Sequence, residues 1–169
     1  MATVTTLTYS AKQTITIGLA TTPLASSPGF VLGRSSAVIA NTSNYIDAIV
    51  GGKVTVGTTP TTATSILVYA WGVLDNTPTY FDTLTGSDAD ITLTSAGVRD
   101  SFIKLAATAN VDSATSNRGY FFNFSVAQLF GGVIPPSWGL WVTHNTGVAL
   151  NATAGNHAFS YYGATYTNT

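Results

Sequence analysis

The chain has no cysteine and no glutamate, and charged residues make up only 8% of its 169 positions. Without cysteine, neither a disulfide framework nor a thiolate metal site can hold the fold, so stability must come from packing and backbone pairing. Without glutamate, paired-carboxylate chemistry falls entirely to the seven acidic residues, all aspartate. An ordinary soluble domain carries roughly 25% charged residues. A chain this neutral, at net −1 and pI about 6.0, either stays soluble through hydroxyl and amide side chains or spends its life in an assembly. Threonine and serine supply about a quarter of the residues, which keeps both explanations open. The six basic residues, Lys12, Arg34, Lys53, Arg99, Lys104 and Arg118, are scattered. No basic patch forms along the sequence, which argues against nucleic acid binding driven by phosphate neutralisation.

Long apolar runs are missing too. No stretch approaches the roughly 18 apolar residues of a membrane helix, and the opening MATVTTLTYS lacks the basic and apolar regions of a secretory signal. Asn41, Asn123 and Asn151 open Asn-x-Ser/Thr triplets, which read as chance matches in a threonine-rich chain. With no repeat, linker or composition break, residues 1–169 read as one domain, with 1–11 as a possible extended N-terminal arm.

What is abundant is Thr, Val, Ile, Tyr and Phe punctuated by Gly, Pro, Asn and Ser, the composition of short strands joined by turns. Period-two segments are expected at 4–9, 13–18, 30–40, 45–50, 53–57, 65–74, 102–107, 119–126, 138–145 and 157–166. Gly51-Gly52 suggests a bulge between two of them. A helical turn is expected near Val126 to Phe130, and 76–89 reads as the longest polar loop. The expected fold is all-β: an antiparallel β-sandwich, jelly-roll-like, with at most one or two short helical turns. In SILVYAWGVL both faces are apolar, with Ile66, Val68, Ala70 and Leu74 on one and Leu67, Tyr69, Trp71 and Val73 on the other. One face should meet the second sheet and the other should lie under a loop, a helix or a partner subunit. In SWGLWVTHN, Trp138, Leu140, Val142 and His144 share one face, and Trp141 points the other way.

The chemical search is mostly negative. There is no Gly-x-Ser-x-Gly elbow and no His-Glu-x-x-His, and Gly51-Gly52-Lys53 lacks the rest of a phosphate loop. Asp82, Asp88 and Asp90 cluster in a Gly/Ser/Thr-rich loop. They read chiefly as turn-bonding aspartates, with a surface Ca²⁺ site as the weak alternative. His144 and His157 could face each other if the last two strands formed a hairpin, but a hydrogen-bonded structural role is the better reading for His144. No cofactor and no catalytic residue is assigned, and the chain is expected not to be an enzyme. A hydrolase acting through Asp and His is the weakest of three hypotheses. Trp141, Trp71, Tyr69 and Lys12 stand as interface candidates, because aromatics are enriched at interface centres as well as in cores.

Three segments carry a family resemblance: LTYSAKQTITIGLATTPLASS (7–27), VGGKVTVGTTPTTATSILVYAWGVLD (50–75) and RGYFFNFSVAQLFGGVIPPSWGLWVTHNTGVALNATAGNHAFSYYG (118–163). Together they resemble small virion structural proteins of tailed bacteriophages, of the type that decorates or cements the outside of the head. The resemblance implies a non-enzymatic β-sandwich subunit that forms a homo-oligomer, dimer or trimer, and binds the major capsid protein. It further implies a place on the outer surface of the phage head, reached after assembly in the host cytoplasm, with neither nucleic acid nor membrane as partner. The competing expectation is a tail- or fibre-associated module recognising host glycans. In the arm reading, residues 1–11 pair with a neighbouring sheet edge.

Overall fold

The computed structural model describes residues 5–75 and 79–168. In chain order the elements are β1 (Thr5–Tyr9), β2 (Gln13–Thr14), β3 (Leu32–Ser35), β4 (Ile39–Ala40), β5 (Asp47–Thr55), β6 (Thr64–Val73) and β7 (Ala89–Thr92). Then come α1 (Ala96–Phe102), β8 (Lys104–Val111), β9 (Gly119–Ser125), α2 (Val126–Leu129), β10 (Ser137–His144) and β11 (Ala158–Asn168). They form two antiparallel sheets packed as a sandwich, one of five strands with the main order β1-β11-β5-β9 plus β2, and one of six with the main order β7-β3-β10-β6-β8 plus β4. The two short strands β2 and β4 extend these sheets by pairing with β11 and β10 respectively.

Side-chain alternation positions the core. Ala48, Val50 and Val54 of β5 and Phe159 of β11 meet Ile66, Val68 and Ala70 of β6 and Trp138, Leu140 and Val142 of β10. Each of the valine, leucine, isoleucine and phenylalanine side chains among them, fully buried, contributes about 1.5–3 kcal/mol. In β9 the same alternation sends Tyr120, Phe122 and Phe124 inward and leaves Phe121 exposed. The inward face of β10 thus has the composition its sequence implied, and its other face is buried as well.

The helices start where serine can cap them. Ser125 accepts the amide of Gln128 and opens α2, and Asp47 fixes that turn to β5 by accepting the Ala127 amide at 2.8 Å and the Ser125 hydroxyl at 2.7 Å. Gly131 and Gly132, at φ 76° and 93°, end it in the left-handed region. The helix α1 begins at the Ser95 cap and was not foreseen, since its AGVRDSF stretch buries no residue and so shows no apolar stripe.

Several sequence expectations need correction. Gly51 and Gly52 make no bulge: β5 runs through them in continuous register with β9 and β11. Gly52 is there because the ring of Phe122, its partner on β9, occupies the space a Cβ would take. The N-terminal segment is not a free arm. Residues 5–9 pair in register with 164–168 of the same chain, so their backbone donors on that side are already taken; residues 1–4 lie outside the described set. The final two strands are no hairpin either, since β10 lies in the six-stranded sheet and β11 in the five-stranded one. The expected strand over 30–40 is two pieces, β3 and β4, both laid along β10. That over 13–18 shortens to β2, and the end of the polar loop forms β7 against β3.

Candidate interaction surface

Three of the four interface candidates are inside the molecule. Trp71 and Trp141 are fully buried and Tyr69 is 4% exposed. They form a second core on the outer face of the six-stranded sheet with Leu84, Ile91, Leu93 and Ile103, flanked by Tyr80 and Phe81. The covering layer is the chain's own segment 79–103, so none of the three offers surface to a partner, and the interface assignment for them is withdrawn. The ring contacts are specific: Tyr69 meets Trp141 edge-on at 5.7 Å, Trp71 meets Tyr80 at 5.8 Å, and Arg99 lies 5.4 Å over Tyr69. Each indole lies against a glycine, Trp71 over Gly139 and Trp141 over Gly33, where any Cβ would collide with the ring. Trp71 Nε1 donates to the Leu140 carbonyl at 3.2 Å, whereas Trp141 Nε1 is buried with no partner among the described residues.

The three clustered aspartates divide by their contacts, Asp82 bonding Thr94 while Asp88 and Asp90 share Arg34. Asp82, at φ 51°, accepts the Thr94 amide and hydroxyl, and these bonds hold its carboxyl below the usual range. Asp88 and Asp90 both bind Arg34, at 2.6 and 3.1 Å, and Asp88 also accepts the Gly18 amide. Burial alone would lower the Arg34 pKa, and the bonds to the two carboxylates outweigh it and raise it. Among the described residues no group of three or more His, Cys, Asp or Glu side chains comes together, and the three carboxylates are engaged in local bonds.

The histidines are structural. His144 is fully buried: its Nε2 lies 3.0 Å from the Leu24 carbonyl, which can only accept, and its Nδ1 faces the hydroxyl and amide of Thr146. Burial pushes its pKa down to about 4. His157 takes the Thr55 amide on Nδ1 and meets the Asn151 carbonyl through Nε2, and burial lowers its pKa as well. It shares a polar network with Asn151, whose own side chain bonds Asn117, Thr153 and Asn156. Lys12 is exposed on the rim of an open cleft of about 510 Å³ that also touches Asp88, His157 and Ser160. The two ionisable neighbours of Lys12 there are already engaged elsewhere, leaving no nucleophile–base pair in the cleft.

The surface feature that sequence reasoning missed is the outer face of the five-stranded sheet. Leu7 and Tyr9 of β1, Tyr162 and Tyr166 of β11, Ile49 of β5 and Phe121 of β9 are all 38–76% exposed. The register sets Leu7 beside Tyr166 and Tyr162 beside Ile49, with Tyr9 beside Ala164 between them. The only charged residues at outward positions of β5 and its neighbours are Asp47 and Lys53, at opposite ends of β5. The signal was present in the alternation of AFSYYGATYTN, where Phe159 and Tyr161 pack inward and Tyr162 and Tyr166 point outward.

Comparison with protein-family models, with curated proteins and with solved structures finds no match to this chain.

Proposed function

We propose that this protein is a non-enzymatic decoration, or cement, subunit of a tailed-bacteriophage head, binding the major capsid protein on the outer surface and stabilising the shell as a homo-oligomer. The observation that carries the reading is the division of the molecule's polar and apolar groups. The histidines, the three arginines and most aspartates are tied into bonds within the chain, while one broad sheet face presents aromatic and aliphatic side chains with almost no charge. Such a surface suits adhesion, because burying it incurs little charge desolvation. The sequence resemblance to head decoration proteins points the same way.

The test is made on purified particles of the phage that encodes the protein. Gel densitometry is expected to find it at a copy number comparable with the major capsid protein, and heads lacking it are expected to release their genome at lower temperature. A copy number in the range of tail proteins, or heads equally stable without it, would sink the reading. The exposed tyrosines favour one alternative, a tail- or fibre-associated glycan module, since sugars stack on exposed aromatic faces. Glycan binding lost on Tyr162→Ala, with no affinity for heads, would favour that module; the buried Trp141 no longer figures in it.

A further inference from the structure

We propose that the outer face of the five-stranded sheet is the surface through which two copies of this chain associate about a two-fold axis. The inference deepens the oligomeric part of the reading above and does not depend on its capsid part.

Area is the first argument. With roughly 200 Å² for a whole aromatic side chain, the exposures of Tyr9, Tyr162, Tyr166 and Phe121 leave about 480 Å² of ring surface, and Leu7 and Ile49 raise the apolar total to about 600 Å². The largest apolar patch of an ordinary monomer is about 300–600 Å². A standard interface buries about 800 Å² per partner, a little over half of it apolar. The face therefore supplies the apolar share of one complete dimer surface. Leu74, Phe102, Leu105 and Val133, also exposed, belong to other segments.

Self-complementarity is the second argument, and it selects a second copy as the occupant. A two-fold axis brings a face against itself, so any net charge on it meets the same sign. On β5 one acid and one base cancel, and Lys12, exposed just before β2 at the edge of the sheet, can stay in solvent at the margin. The Asp47 carboxylate is already satisfied by the Ser125 hydroxyl and the Ala127 amide, so it can be covered without losing partners. Lys53 sits at the Phe121 end, where its ammonium can stay at the rim. The small residues Gly51, Asn123, Ser125 and Ser160 separate the aromatics along the strands.

The experiment is the mass of the purified chain in solution as a function of concentration, by sedimentation equilibrium or light scattering. The wild type is expected to approach twice the 17.5 kDa chain mass. Tyr162→Lys and, separately, Tyr166→Lys are each expected to weaken association at least about 100-fold, since an aromatic anchor is lost from both copies at once. Circular dichroism and thermal unfolding verify that each variant folds, and Leu74→Lys, at a 90% exposed position elsewhere, should leave the dimer intact. A wild type that is monomeric at every concentration, a trimer, or a dimer indifferent to both lysines overturns the proposal. So does a monomer that binds polysaccharide through Tyr162. Binding to protein-depleted heads is scored separately. A dimer that ignores heads removes the decoration reading and leaves the dimer, while a wild-type monomer that coats heads does the reverse.

Discussion

Acid should destabilise this protein well above the pH at which its aspartates protonate, and His144 is the main reason. Its ring is fully buried between Leu24 and Thr146, and its pKa falls from an ordinary value near 6.5 to about 4. A histidine with a depressed folded pKa is neutral in the native chain while the unfolded chain takes up a proton. Stability is therefore intact above about pH 6.5, falls as the pH drops towards 4, and levels off below that. Each pH unit inside the window costs about 1.4 kcal/mol, so the full loss is about 3 kcal/mol, a large fraction of an ordinary domain's stability. His157, also depressed, adds to the loss in the same direction. Asp82 and Asp100, held below the usual carboxylate range, lose their stabilising bonds only at lower pH and leave the window to the histidines. Urea unfolding at a series of pH values gives the slope directly, and His144→Gln should reduce it by about one proton's worth near pH 5. Proton NMR of the native protein supplies a check independent of that variant's folding, because the His144 ring resonances should not titrate above about pH 5. Titration near 6.5, or a slope unchanged in the variant, would refute the reasoning.

Adjacent glycines should respond oppositely to alanine. Gly51→Ala meets only ordinary contact and is expected to be neutral or to gain about 0.5 kcal/mol, whereas Gly52→Ala drives a methyl into Phe122 and the Ala158 carbonyl and should lose at least about 2 kcal/mol in chemical unfolding. Trp71→Phe is expected to cost about 2 kcal/mol more than Trp141→Phe: the first breaks a bond to Leu140, and the second removes a buried donor that has none; equal costs would contradict the assigned bonding. Millimolar Ca²⁺ or a chelator should leave the melting temperature unchanged within error, because Asp82 is bonded to Thr94 and Asp88 and Asp90 to Arg34; a calcium-dependent rise would reinstate the metal site.

Much of the sandwich was legible because alternation is a short-range property. The inward sets of β9 and β10 and the division of β6 into two apolar faces follow from period two, and Ser125 with Gly131-Gly132 marks both ends of α2. What lay over Trp71 and Trp141 was not legible. Tyr80, Phe81, Leu84, Ile91 and Leu93 sit in a stretch dominated by Thr, Asp, Ser and Gly, without a sustained period, and they are buried only because the loop folds back across the sheet. That return is fixed by contacts distant in sequence, Asp88 to Arg34 and β7 to β3, which no local pattern records. The role of Gly51-Gly52 was hidden for a similar reason, since Phe122 becomes the neighbour of Gly52 only through strand pairing. Two-residue strands such as β2 and β4 have too few positions for alternation to be visible at all.

The scarcity of charge takes on a structural sense once the partners are known. All three arginines are consumed within the chain: Arg34 ties β3 to Asp88 and Asp90, Arg99 joins Asp100 and the Phe30 carbonyl, and Arg118 meets Asp112. Their partners account for four of the seven acids, and Asp47 and Asp82 are further engaged by hydroxyls and amides. Charge here locks loops onto sheets and contributes little long-range field. A surface of this kind does not steer a distant partner electrostatically; it holds one already close, through packed apolar area and hydroxyl hydrogen bonds that salt screens weakly. That is the behaviour the proposed decoration role would require, and it follows from the same few aspartates and arginines that keep segment 79–103 over the tryptophans.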